Sequence, residues 1–141
     1  MGSQQEDQTT ELHPKGELAL QTLAMPKDTN ANGDIFGGWL VSQMDLAAGI
    51  ATKQVSRGRS ATVAMNNVAF HSPVSVGSIV SCYAEMGEIG RSSMHVNIEV
   101  WISNSLTNHG KRKVAEGEFV YVAIDDLGRT RRIDIPGRVL E

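Results

Sequence analysis

The chain has 141 residues, enough for one domain with a hydrophobic core and little spare length. Apolar residues make up 40% and charged residues 21%, with a formal charge of −3, which argues against nucleic acid or an anionic membrane as the main partner. The single cysteine, Cys82, excludes an intrachain disulfide and suggests a reducing compartment; with no apolar run of membrane-spanning length and no signal-peptide core, the expected location is cytoplasmic.

Residues 1–15 are polar and without periodicity, and read as a disordered leader. Leu18 to Ala24 is a short apolar run suited to a strand. Met25 to Gly38 holds Pro26, Asn30, Asn32, Gly33, Gly37 and Gly38, the composition of a loop. Leu40, Met44, Ala47, Ala48 and Ala51 then recur at helical spacing, which predicts a helix with Asp34 as its N-cap and an end before Arg57-Gly58-Arg59.

Alternation with period two governs the remainder. Ala61, Val63 and Met65 share a face within Ser60–Phe70, and Val80, Cys82, Ala84 and Met86 share one within Ile79–Ile89. In Ser93–Ile102 the pattern predicts Met94, Val96, Ile98, Val100 and Ile102 inside, with Ser93, His95, Asn97, Glu99 and Trp101 outside. Val114–Ile124 is a fourth long strand. Turn signals separate these segments at Ser72-Pro73 with Gly77, at Gly87 to Gly90, at Asn104 to Gly110, and at Asp125 to Gly128. A strand, a long helix and four strands define an α+β domain with one antiparallel sheet over residues 16–135, followed by a tail at 136–141. One helix covers only part of five strands, the outer face keeps residues such as Trp101, and the edges stay open, so dimerisation is expected.

From Ile35 to Thr52 the only ionisable side chain is Asp45. Trp39, Leu40, Val41, Leu46, Ala47, Ala48 and Ile50 place apolar or small residues on every face, the pattern of a buried helix. A carboxylate there must be hydrogen-bonded, partly wet or protonated, because burying it unpaired costs several kcal/mol. A structural Asp at a subunit boundary satisfies that condition, and so does a reactive group. The preceding Gly37-Gly38 leaves the first helical turn bare, so a ligand can approach its free N–H groups, which favour a developing oxyanion. Together these features suggest a hydrolytic site that polarises a carbonyl and activates water.

Other chemistry has less support. His13, His71, His95 and His109 form no metal-ligand spacing, so no metal is expected, and His95 is expected to face solvent. There is no G-x-S-x-G elbow and no Walker loop. Arg129, Arg131 and Arg132 read as a solvated basic turn, with phosphate binding as the sharper alternative.

The stretch Met25-Pro26-Lys27-Asp28-Thr29-Asn30-Ala31-Asn32-Gly33-Asp34-Ile35-Phe36-Gly37-Gly38-Trp39, followed by Ser42-Gln43-Met44-Asp45, resembles the YciA-type acyl-CoA thioester hydrolases of the hotdog superfamily. The likeness continues through Thr62-Val63-Ala64, Phe70 with Pro73, Ser75-Val76-Gly77 and Gly90-Arg91-Ser92-Ser93, and spans roughly residues 16–135. The resemblance implies a hotdog fold, a sheet wrapped around one long central helix, in dimers that assemble further, typically as a trimer of dimers. It implies hydrolysis of acyl-CoA to fatty acid and CoA at a subunit interface, with CoA as part of the substrate and no separate cofactor. Asp45 would be the general base or nucleophile, and Asn30 a catalytic asparagine reaching the site from a neighbouring chain. The Gly37 and Gly38 backbone would polarise the thioester carbonyl, and Arg91, Ser92 and Ser93 would lie along the CoA path. The chain departs from many relatives after Ala64, where Met65-Asn66-Asn67 lacks their acidic residue, with acyl-chain selectivity the expected consequence.

Two other readings compete. A hotdog dehydratase needs a histidine near the helix start, where Phe36 and Trp39 stand. A non-catalytic acyl-CoA sensor would not need both Asn30 and Asp45.

Overall fold

The computed structural model describes residues 13–103 and 111–138. Most of the leader expected at 1–15, the turn expected at Asn104 to Gly110 and the end of the 136–141 tail therefore lie outside the described residues.

Strand β1 (Glu17–Leu23) leads through a 3₁₀ turn at Pro26–Asp28 to the helix α1 (Gly37–Ser56). Four strands follow: β2 (Ser60–Phe70), β3 (Ile79–Ile89), β4 (Ser93–Ser103) and β5 (Arg112–Ala123). They form one antiparallel sheet in the order β1-β3-β4-β5-β2, and α1 contacts all five strands. This is the hotdog arrangement, a sheet curled around a single helix.

Leu40, Met44, Ala47 and Ala48 are buried, as their helical spacing predicts, and pack on Met94, Val96, Ile98, Val100 and Phe119 from the concave face of the sheet. Each large side chain buried there contributes on the order of 1.5–3 kcal/mol. The small Ala47 and Ala48 let the helix approach the sheet closely. The helix stops at Arg57, which adopts the left-handed conformation with φ 55°. Arg131 then caps this end: its guanidinium donates to the carbonyls of Ser56, Ile124 and Arg59. It is a backbone clamp at the helix end, and only partly buried.

Three expectations need correction. The N-cap of α1 is Phe36, without a side-chain cap; Asp34 sits earlier, where its carbonyl accepts the Asn30 N–H at 2.7 Å. The helix is not buried all round, since Leu46 and Ile50 are 57% and 39% exposed. One sheet reaches one side of a helix, and the opposite apolar stripe stays open. Trp101, expected outside, is 2% exposed. Its indole N–H donates to Glu99 Oε1 at 2.9 Å, and the same oxygen accepts the Lys15 N–H from the segment before β1. Alternation identifies the face of a strand, but not whether other parts of the chain lie over that face.

The shared face of Val63 and Met65 turns away from the core; both are exposed on the edge strand β2. Thr62, between Ala61 and Val63, points the other way, toward α1.

Candidate active site

Asp45 projects from the middle of α1 and is half-buried. Its Oδ1 accepts hydrogen bonds from Thr62 Oγ1 at 2.7 Å and from the Tyr121 hydroxyl at 2.5 Å. The Tyr121 hydroxyl also lies 2.7 Å from the backbone carbonyl of Asp45. Thr62 and Tyr121 are register partners in the β2–β5 ladder, so the sheet delivers both hydroxyls to one point on the helix. Oδ2 has no hydrogen-bond partner among the described residues. The carboxylate is thus neither unpaired nor saturated: one oxygen is anchored and the other is available.

Burial, and then the bond to the Asp45 carboxylate, push the Tyr121 phenol up to about 12. It remains protonated, and a donor, throughout the neutral range. Burial likewise pushes the Cys82 thiol up to about 12, which makes it an inert core residue.

The Gly37 and Gly38 N–H groups, at the start of α1, have no acceptor among the described residues. The rings of Phe70 and Phe36 flank them: a Cβ on Gly37 would lie 3.3 Å from the Phe70 ring, and one on Gly38 would lie 3.2 Å from that of Phe36. Glycine keeps this turn open between two aromatic walls. A cavity of about 420 Å³ adjoins it, lined by Asn30, Asp34, Gly37, Phe70, His71 and Ser72 among others. Asn30 Oδ1 accepts the N–H groups of Asn32 and Asp34 and so shapes its own loop. Its side-chain amide nitrogen has no acceptor among the described residues.

Gly90, Arg91 and Ser92 form the turn between β3 and β4, and Ser93 opens β4. Backbone bonds from Ile133 to the Arg91 carbonyl (2.7 Å) and from Ala123 to the Ser92 carbonyl (2.8 Å) hold the turn in place, with the Arg91 side chain exposed. Ser93 pairs with Val122, next to Tyr121, so this turn and Asp45 share one end of the sheet.

Within one chain the expected residues separate into two groups. Asp45 and the Arg91–Ser93 segment lie toward the C-terminal end of β5, where Tyr121 faces Thr62. Asn30 and Gly37 lie near Phe70, which pairs with Ala115 close to the start of β5. Six residues of strand separate these ends, about 20 Å, and Gly38 lies about 10 Å from Asp45 along the helix axis.

Thr62 and Tyr121 are the residues that sequence reasoning missed as contributors. Thr62 stood in a quoted motif without a role. Tyr121 falls on the inward face of β5 with Phe119 and Ala123, and a phenol on an apolar face needs a partner; that was the available signal. Among the described residues no cluster of His, Cys, Asp or Glu fits a metal ion, and no helix is long and apolar enough to cross a membrane. His95 is half-exposed and lies 3.4 Å from Glu118.

A central helix wrapped by one antiparallel sheet has counterparts among known proteins. Residues 32–107 match the family model of the thioesterase superfamily. The acyl-CoA thioester hydrolase YciA of Salmonella typhimurium is 48% identical over 126 residues, 88% of this chain and 95% of its own. A hexameric thioesterase from Yersinia pestis superposes with a TM-score of 0.83 at 48% identity, covering 87% of this chain and 99% of the other. A hexameric hotdog-fold thioesterase of Campylobacter jejuni superposes with a TM-score of 0.81 at 37% identity, over 86% and 93% of the two chains. The chain belongs to the thioesterase superfamily, among its YciA-type acyl-CoA thioester hydrolases of hotdog fold.

Proposed function

We propose that this protein hydrolyses acyl-CoA thioesters at sites built between copies of the chain, in a hexamer like those of the Yersinia and Campylobacter relatives. The observation that carries the reading is the Asp45 carboxylate, held through Oδ1 by Thr62 and Tyr121 with Oδ2 open. The separation of Asn30 and Gly38 from Asp45 supports a composite site, because one thioester carbonyl cannot reach both groups in a single chain.

In the proposed reaction Oδ2 of Asp45 takes a proton from water as the water oxygen bonds to the thioester carbonyl carbon. The carbonyl π electrons move onto oxygen, where the N–H groups of Gly37 and Gly38 from a neighbouring copy stabilise the charge. Asn30 of that copy orients the water. When the carbonyl re-forms, the C–S bond breaks, its electrons leave with the CoA sulfur, and the proton passes from Asp45 to that sulfur. The products are a carboxylic acid and CoA. The Arg91 guanidinium and the Ser92 and Ser93 hydroxyls suit the phosphates of CoA. No cofactor enters the scheme.

The test is CoA release from acyl-CoAs of increasing chain length, by the native protein and by Asp45→Asn. The native protein should release CoA, and the variant should lose about 10²–10⁴-fold in kcat, the usual range for a general base. Circular dichroism should show the native fold, since the amide keeps the size and hydrogen-bonding capacity of the carboxylate. A folded variant with near-native kcat would make Asp45 structural. Binding of acyl-CoA without CoA release would favour the sensor reading.

A further inference from the structure

We infer that Tyr121 is a positioning residue for the reaction: it locks the Asp45 side chain against the helix backbone, so that Oδ2 alone is presented to the reacting water. The inference rests on the reading of Asp45 as the catalytic base. The Tyr121 hydroxyl lies within hydrogen-bond distance of two acceptors of the same residue, Oδ1 and the main-chain carbonyl. The one phenol proton goes to one of these acceptors or is shared between them, and in either case the contact holds the Asp45 side chain beside its own backbone and opposes rotation about χ1. Gly49, four residues further along α1, leaves space for this approach; a Cβ there would already be in van der Waals contact with the phenol at 3.4 Å.

Thr62 bonds the same oxygen but is less firmly mounted. It lies on the edge strand, directly before a register shift between Thr62 and Ala64. Tyr121 is 5% exposed on β5, which is hydrogen-bonded to β4 on one side and to β2 on the other. A reacting group held on an interior strand is placed more sharply than one held from an edge, and a misplacement of about 1 Å can cost about 100-fold in rate. The bland alternative is a buried phenol that merely finds an acceptor. In that case its removal would affect stability and leave turnover intact.

The test is a double-mutant cycle with Tyr121→Phe and Asp45→Asn, reading kcat, KM and melting temperature. Tyr121→Phe should lower kcat about 10–100-fold with KM within about twofold and the fold retained. In the Asp45→Asn background the same change should have little further effect, because the group it positions has already been disabled. A ring-fluorinated tyrosine at position 121 keeps the ring and hydroxyl but ionises at lower pH. Its kcat should fall on the alkaline side, where the phenolate can no longer donate, while the native profile stays level there. Native kcat in a folded Tyr121→Phe, with Asp45→Asn still impaired, would overturn the inference and spare the base. Equal losses in both backgrounds would make Tyr121 structural. An active Asp45→Asn would overturn both.

Discussion

Thr62 and Tyr121 face each other across the β2–β5 ladder, and their hydroxyls meet at one oxygen of Asp45, at 2.7 and 2.5 Å. Two strands thus converge on a side chain of the helix they enclose. A hydrogen bond to a charged group is worth about 1.5–3 kcal/mol, enough to hold the carboxylate in one direction.

The Thr62 contribution depends on its hydroxyl and not on its shape. Thr62→Val keeps the branched side chain and should lower kcat about tenfold, the equivalent of about 1.4 kcal/mol in the barrier. Thr62→Ser restores the donor and should recover most of that loss. Steady-state kinetics on the two variants make the comparison. Equal rates for Val and Ser would show that the bond has no part in turnover.

For Arg91, the proposed contact is with a CoA phosphate. Arg91→Ala should raise KM for acyl-CoA about tenfold, as expected for loss of a charge-assisted contact. KM for a truncated acyl-pantetheine thioester should stay the same, since that substrate lacks the nucleotide end. The turn itself should survive, because backbone bonds from Ile133 and Ala123 hold it. If KM rises equally for both substrates, Arg91 does not read the nucleotide.

The composite site predicts complementation between chains. Asp45→Asn and Asn30→Ala should each be nearly inactive alone. Dissociated and reassembled together, they should regain part of the activity, because some interfaces then combine an intact Asp45 with an intact Asn30. Sedimentation should show a dimer or larger at assay concentration, consistent with exposed Val63 and Met65 on the edge strand and Leu46 and Ile50 on the helix. A fully active monomer would remove the basis of the proposal.

Gly16 sets the entry to β1. Its φ of +92° is a conformation that side chains disfavour, and an added Cβ would run into the backbone carbonyl of Ala84. Gly16→Ala should therefore destabilise the protein by more than the roughly 1–3 kcal/mol of backbone strain alone, through loss of β1–β3 pairing. Gly128→Ala is the control: it has φ +80° and open space around it, so it should show the strain cost only. Thermal unfolding of the two variants side by side measures the difference.

Local pattern was enough to specify most of the fold. The stripe Leu40, Met44, Ala47 and Ala48 and the alternation from Met94 to Ile102 each follow from the periodicity of one element, and the α1 end at Ser56 follows from the Arg57-Gly58-Arg59 break. Asp45 stood out for the same reason: it is the only ionisable side chain between Ile35 and Thr52, and a charge among apolar neighbours conflicts with its surroundings. The partners of Asp45 were not legible. Thr62 and Tyr121 are 17 and 76 residues away, and only strand register, fixed by side chains packing across the whole sheet, brings them together. Tertiary structure alone also decided that Trp101 is covered while Leu46 is not, because burial depends on what lies over a face. It likewise placed Asn30 with Gly37 beside Phe70 and away from Thr62 and Tyr121, because the path of a loop is set by what it packs against and not by its own residues.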